Sequence, residues 1–150
     1  MLNPPPATTE IQPPVPSGAG HGSCPTRGTI LVVEDEAFVR DAACDILEGS
    51  GYQVLRAGNA TEARAALRRQ QGGVQLLLSD LVLPGQSGAA LANDLRASVP
   101  AVKVLFISGY ANSFAKYGLT TCQTAYLPKP FSAASLLRKV KEVMESTELR

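Results

Sequence analysis

The stretch Leu76-Leu77-Leu78-Ser79-Asp80-Leu81-Val82-Leu83-Pro84-Gly85-Gln86-Ser87-Gly88 decides how this chain is read. An apolar run stops at one carboxylate, a Leu-Pro-Gly turn follows, and a glycine opens a helix-forming segment. A continuous Val/Leu run of this length, bounded by glycines, predicts a strand buried on both faces, as in parallel sheets. Such a strand delivers Asp80 at its carboxyl end, where open α/β sheets bind ligands. Taken alone, the stretch is equally consistent with Asp80 closing a turn, where Asp is common. The rest of the chain has to decide.

Working outward, the pattern alternates from Thr29 onward. Ile30–Val33 is a short β-branched run ended by Glu34-Asp35-Glu36. Val39, Ala42, Ala43, Ile46 and Leu47 then recur at helical spacing up to Gly49 and Gly51. Residues 52–57 predict a weaker second strand. Asn59 is placed to cap a helix, with Glu62 completing a capping box and Ala63, Ala66 and Leu67 facing inward until Gly72-Gly73. The Asp80 strand is followed by a helix over 88–98 with Leu91 and Leu95 inward, a fourth strand over 102–108, a short and poorly patterned helix over 111–117, and a fifth strand over 125–127. Ser132 caps a last helix carrying Leu136, Leu137, Val140, Val143 and Met144. Five strands alternating with five helices predict βαβ units and a doubly wound parallel sheet with helices on both faces, an α/β fold. Strand order does not follow from the pattern.

The bulk numbers narrow the function classes. The chain has 150 residues, 45% of them hydrophobic and 18% charged, enough for one well-filled domain. A net charge of +1, no tryptophan and few aromatics give no footprint for nucleic acid. Cys24, Cys44 and Cys122 form no CxxC pair, against a disulfide framework or zinc site and in line with a reducing cytoplasm. There is no signal-peptide pattern and no apolar run of membrane-spanning length, so a cytoplasmic protein with no membrane partner is expected. Residues 1–28, with Pro4-Pro5-Pro6 and Pro13-Pro14-Val15-Pro16, hold almost nothing to bury and are expected to be a disordered tail or linker. The lone His21 in that tail is given no catalytic role. The domain is expected over 29–146, with 147–150 as a C-terminal tail.

In a parallel sheet the strand ends converge on one edge. That edge would gather Glu34-Asp35, Asp80, Ser108 and Lys129. Three crowded carboxylates repel one another unless a cation joins them, and oxygen-only ligands suit Mg²⁺. An ammonium and a hydroxyl beside them make a pocket for an anion with three equatorial oxygens, the equipment of phosphoryl transfer, with Asp80 as nucleophile.

Val33-Glu34-Asp35-Glu36, Ser79-Asp80-Leu81-Val82-Leu83-Pro84 through Gly88, Ile107-Ser108-Gly109-Tyr110 and Leu127-Pro128-Lys129-Pro130-Phe131 together resemble the receiver domain of two-component response regulators. The resemblance runs from about Thr29 to Met144. It implies a flavodoxin-like sheet of order 2-1-3-4-5, with Asp80 as phosphoacceptor. Glu34, Asp35, Asp80 and the Val82 carbonyl would hold Mg²⁺, or Mn²⁺ in its place. Lys129 and Ser108 would contact the phosphoryl group, and Ser108 and Tyr126 would be the switch pair. The bond before Pro130 would be cis. Departures are mild: Glu34 stands where Asp is common, Ser108 where Thr is common, and Leu83 where Met is usual. Val82 and Tyr110 occupy positions that bear on loss of the phosphoryl group.

The resemblance implies a signalling switch and not a metabolic enzyme. It would be phosphorylated by a sensor histidine kinase or histidine phosphotransfer protein, changing the surface of the fourth helix, fifth strand and fifth helix. With no segment after Arg150, output is expected through an unknown downstream protein without direct contact to nucleic acid, as a monomer or phosphorylation-dependent dimer. Ser108-Gly109-Tyr110-Ala111 and Leu83-Pro84-Gly85 look like receivers attached to hybrid kinases. Three alternatives stand beside this reading. A pseudo-receiver docking module is opposed by the intact site. A Mg²⁺-dependent phosphatase of the haloacid-dehalogenase type wants a second Asp where Val82 stands. A flavodoxin-like FMN binder wants a hydroxyl-rich loop after strand one.

Overall fold

In a computed structural model of the chain, the described residues are 27–70, 73–109 and 125–146. The expected tail up to residue 26, the helix expected over 111–117, Tyr110, Cys24, Cys122 and the last four residues lie outside them. The described elements are β1 (Thr29–Val33), α1 (Ala37–Gly49), β2 (Gln53–Ala57), α2 (Ala60–Arg69), β3 (Leu76–Asp80), α3 (Gly88–Ser98), β4 (Lys103–Ser108), β5 (Ala125–Pro128) and α4 (Ala133–Glu145). The five strands form one parallel sheet in the order β2-β1-β3-β4-β5.

The sheet's alternation sorts the core into two layers. Leu31, Val33, Leu77, Val104 and Phe106 pack toward α2 and α3, against Ala63, Ala66, Leu91 and Leu95. Ile30, Val32, Leu76, Leu78, Leu105 and Ile107 pack toward α1 and α4, against Ala43, Cys44, Leu47, Leu136, Val140 and Val143. β3 is central and buried along its whole length, as its unbroken apolar run requires. β2 is an edge strand and half exposed, which accounts for its weaker pattern. Its Arg56 reaches three carboxylates spaced along α1: Asp41 at 3.1 Å, Asp45 at 3.4 Å and Glu48 at 3.0 Å.

Local chemistry sets the helix starts. Asn59 Oδ1 accepts from the Glu62 N–H at 2.8 Å. The Glu62 carboxylate, expected to return to Asn59, accepts instead from the Gly58 N–H at 2.6 Å, one residue further back. Ser87 Oγ caps α3 through the Ala90 N–H, and Ser132 with Ser135 forms a complete capping box on α4. Each such cap stabilises its helix by about 1 kcal/mol. Two details differ from the sequence reading. Ala42 is exposed, and the buried stripe of α1 runs through Ala43, Cys44 and Leu47, because a reduced cysteine packs as a small hydrophobe. Arg27 and Gly28, assigned to the tail by composition, belong with the sheet: the Arg27 N–H donates to the Gly51 carbonyl, its guanidinium lies 5.2 Å from the Tyr52 ring centroid, and the Gly28 carbonyl accepts from Gln53.

The turn from β3 into α3 is closed tightly. The Gly88 N–H donates to the Leu81 carbonyl at 2.8 Å, and a Cβ at Gly88 would overlap the Asp80 carbonyl oxygen. Backbone cannot retreat there as a flexible side chain would. Gly88→Ala is expected to destabilise the protein by about 1–3 kcal/mol, the usual cost of overpacking, whereas Gly49→Ala, which meets nothing within 4 Å, is expected to be tolerated. Urea unfolding of the two variants checks the contrast, and equal midpoints would refute it.

Candidate functional site at the carboxyl edge of the sheet

The parallel register brings the ends of β1, β3, β4 and β5 onto one edge. Val33 pairs with Ser79, Asp80 with Ile107, and Ser108 with Pro128, so Glu34, Asp35, Asp80, Ser108 and Lys129 arrive together although they span most of the chain. Carboxylate oxygens of Glu34, Asp35 and Asp80 lie within 4.8 Å of one another. Glu34 and Asp80 are buried and Asp35 is exposed. Asp80, Val82, Ser108, Gly109 and Lys129 line an open cavity of about 350 Å³. A larger hollow, about 540 Å³ between Arg27, Tyr52 and α4, lies at the opposite edge of the sheet, away from these groups.

The four carboxylate oxygens of Asp80 and Glu34 are each held differently. Asp80 Oδ1 accepts from the Val82 N–H at 3.0 Å, and Asp80 Oδ2 accepts from Lys129 Nζ at 2.8 Å. Glu34 Oε2 accepts from the Glu36 N–H at 3.1 Å. Glu34 Oε1 lies 2.8 Å from Lys129 Nζ as an ion pair, but outside hydrogen-bonding angles, and this buried oxygen has no hydrogen-bond partner. Arg40 donates to the Glu34 main-chain carbonyl at 2.8 Å and so fixes the β1–α1 turn from the helix side. The Ser108 carbonyl accepts from the Lys129 N–H at 2.9 Å and from the Tyr126 hydroxyl at 3.2 Å, tying the end of β4 to β5. The Lys129–Pro130 peptide bond is cis.

The sequence-predicted residues Glu34, Asp35, Asp80, Val82, Ser108 and Lys129 thus meet around one cavity edge, with Tyr126 one hydrogen bond behind Ser108. Arg40 escaped the sequence reading. A basic residue in the first turns of a helix is ordinarily solvated, and nothing in its spacing distinguishes it. As a donor set, three oxygens of clustered carboxylates fit a hard divalent cation. The buried Glu34 oxygen without a hydrogen bond is the atom such an ion would satisfy.

Electrostatics follow from this packing. Burial pushes Glu34 up from 4.5 to about 7; the Lys129 contact pulls it back and the Asp80 charge adds to the rise. Burial works against the Lys129 ammonium, but Asp80 and Glu34 outweigh it and hold its pKa above the ordinary lysine value. Below pH 4.5 Glu34 is protonated folded or unfolded and contributes no pH dependence. Between 4.5 and about 7 the unfolded chain releases this proton first, so the fold loses stability as pH rises, by at most about 3 kcal/mol. In EDTA, Glu34→Gln is therefore expected to melt higher than wild type at pH 8 and to lose part of the fall in Tm between pH 5 and pH 8. Parallel Tm profiles for the two proteins would refute the assignment.

Comparison with known proteins gives the family. Residues 30–141 match the response regulator receiver domain. The chain is 37% identical over 121 residues to the sensor kinase CckA of Brucella abortus (strain 2308), covering 80% of this chain and 13% of that protein. It is 34% identical over 124 residues to the phosphate regulon transcriptional regulatory protein PhoB of Pseudomonas aeruginosa, covering 79% of this chain and 52% of that one. The chain thus spans about half the length of PhoB and a smaller part of CckA. Among solved structures, the receiver domain of the hybrid histidine kinase CckA superposes with a TM-score of 0.66 at 35% identity, covering 79% of this chain and 100% of that one. A CheY-like receiver domain protein from Methanospirillum hungatei JF-1 does so with a TM-score of 0.66 at 32% identity. With the doubly wound sheet, the acidic cluster and the matched span in agreement, this chain belongs to the response regulator receiver domains of two-component systems.

Proposed function

We propose that this chain is a phosphorylation-controlled switch in which Asp80 takes a phosphoryl group from a phosphohistidine. The observation that carries the reading is the meeting of Asp80, Lys129 and Ser108 at one open cavity, with carboxylate oxygens of Glu34 and Asp35 within 4.8 Å of that of Asp80. A carboxylate oxygen of Asp80 attacks phosphorus, the phosphorus–nitrogen bond breaks, and its electron pair leaves with the donor imidazole, which takes up a proton from solvent. Mg²⁺ held by Glu34, Asp35, Asp80 and the Val82 carbonyl, or Mn²⁺ in its place, would neutralise charge on the transferring group. Lys129 already pairs with Asp80 Oδ2 and is placed to follow the phosphoryl oxygens as they form. The Val82 N–H holds Asp80 Oδ1 and so orients the nucleophile.

The same contacts supply a route outward. Ser108 turning toward a phosphoryl oxygen would pull on the end of β4. Tyr126, whose hydroxyl bonds the Ser108 carbonyl, would change its position in response. The altered surface would then be that of β5, α4 and the segment before β5, read by a downstream protein. A sensor histidine kinase or histidine phosphotransfer protein would be the donor. The 37% identity to a segment of the sensor kinase CckA supports a receiver of the kind joined to hybrid kinases.

Intact mass after incubation with acetyl phosphate and Mg²⁺ tests the reading. One added phosphoryl group is expected in wild type, absent in Asp80→Asn and in the presence of EDTA. Lys129→Ala is expected to slow its appearance about 10²-fold, the scale of losing one preorganised electrostatic partner. A folded wild type with neither adduct nor Mg²⁺ binding would leave a docking module in place of a phospho-switch.

A further inference from the structure

The loop that carries Val82 leaves the site immediately after Asp80 and returns to the fold at Ser87, the cap of α3. It passes through Pro84 and Gly85, the latter at φ +78°. Main-chain bonds close its two ends, Val82 N–H to Asp80 Oδ1 and Gly88 N–H to the Leu81 carbonyl. Between them, among the described residues, the side chain of Gln86 makes the only hydrogen bonds tying 83–86 to another element. Gln86 Oε1 accepts from Arg64 Nη2 of α2 at 2.9 Å, and Gln86 Nε2 donates to Asp94 Oδ2 of α3 at 2.9 Å. Arg64 Nη2 also pairs with that same Asp94 oxygen, so each of the three groups bonds the other two. Beside this triangle α2 and α3 part over a hollow of about 400 Å³ floored by Leu67, Leu91 and Leu95. The triangle is a polar bridge across the rim of that gap.

We propose that Arg64, Gln86 and Asp94 are positioning residues that hold the 82–87 loop, and with it the Val82 main chain, in the geometry that metal binding beside Asp80 requires. The inference rests on the reading of Asp80 given above. Arg64 and Asp94 are 41% and 53% exposed in their side chains, and an ion pair of such exposure adds little to global stability. A closed triangle at this place is suited to a different task. It restrains a loop that otherwise has only buried Leu83 and its two ends to fix it. Outer partners of metal ligands affect binding in this way, by fixing the ligand's orientation and not by touching the ion.

The test uses the full chain, with Mg²⁺ alone as the probe. Arg64→Ala, Gln86→Ala and their double variant are compared with wild type by calorimetric Mg²⁺ titration, thermal melting and amide hydrogen exchange without metal. Each single variant is expected to bind Mg²⁺ about tenfold more weakly, with Tm nearly unchanged and faster exchange confined to the Val82 and Leu83 amides. The double variant is expected to be no weaker than the worse single one, because both remove the same restraint. With acetyl phosphate, the variants should need more Mg²⁺ yet reach the wild-type rate at saturation. Wild-type Mg²⁺ affinity in the variants, or losses that add, or exchange that quickens throughout the domain, would overturn the positioning role while leaving the phospho-switch standing. A wild type that takes up neither Mg²⁺ nor a phosphoryl group would overturn both.

Discussion

The arrangement at the sheet edge depends on one ammonium. Lys129 Nζ stands 2.8 Å from both Glu34 Oε1 and Asp80 Oδ2, and without it two buried carboxylates would face each other across a low-dielectric gap. Compensation is incomplete. One cation pairs with both buried acids, and burial still lets Glu34 keep its proton to about 7. The fold thus carries a local imbalance at its chemical centre while its layers are ordinary close-packed hydrocarbon. Such imbalance is what a site loses when it binds a cation.

Lys129 reaches this position because of what lies behind it. Its N–H is held by the Ser108 carbonyl, and that carbonyl is shared with the Tyr126 hydroxyl. The acidic side is held in the same indirect way, by Val82 and Glu36 main-chain N–H groups and by Arg40 on the Glu34 carbonyl. The charged side chains therefore project from main chain anchored at the ends of β1, β3, β4 and β5.

The residues that could be read from the sequence were those whose surroundings are set by strand ends. Leu76–Asp80 is a buried run closed by one carboxylate, and a parallel sheet puts such an end at the ligand edge, so Asp80, Glu34, Asp35, Ser108 and Lys129 are legible from the strand pattern. Helix stripes were less legible. Ala42 and Cys44 are nearly interchangeable in size and hydropathy, and only packing against β1 and β3 decided which one is buried. Arg27 and Gly28 looked like linker because their anchoring is mostly main-chain and a cation–ring contact, neither of which leaves a mark in composition. Arg40 and the Arg64–Gln86–Asp94 triangle were hidden for the same reason: polar side chains on helix surfaces and in loops find partners across the fold that no local pattern announces.

The three carboxylates around Arg56 give the sheet an uneven response to its medium. β3 and β4 are held by hydrocarbon, which dilute salt scarcely touches, whereas the outer strand β2 is latched to α1 by charges on the surface. At about 1 M ionic strength the screening length shrinks to roughly 3 Å, comparable to those contacts. Concentrated salt thus weakens the latch on one flank and leaves the other strands as they were. β2, the strand farthest from Lys129, is then where the sheet's edge opens first, by the small amount that exposed ion pairs contribute.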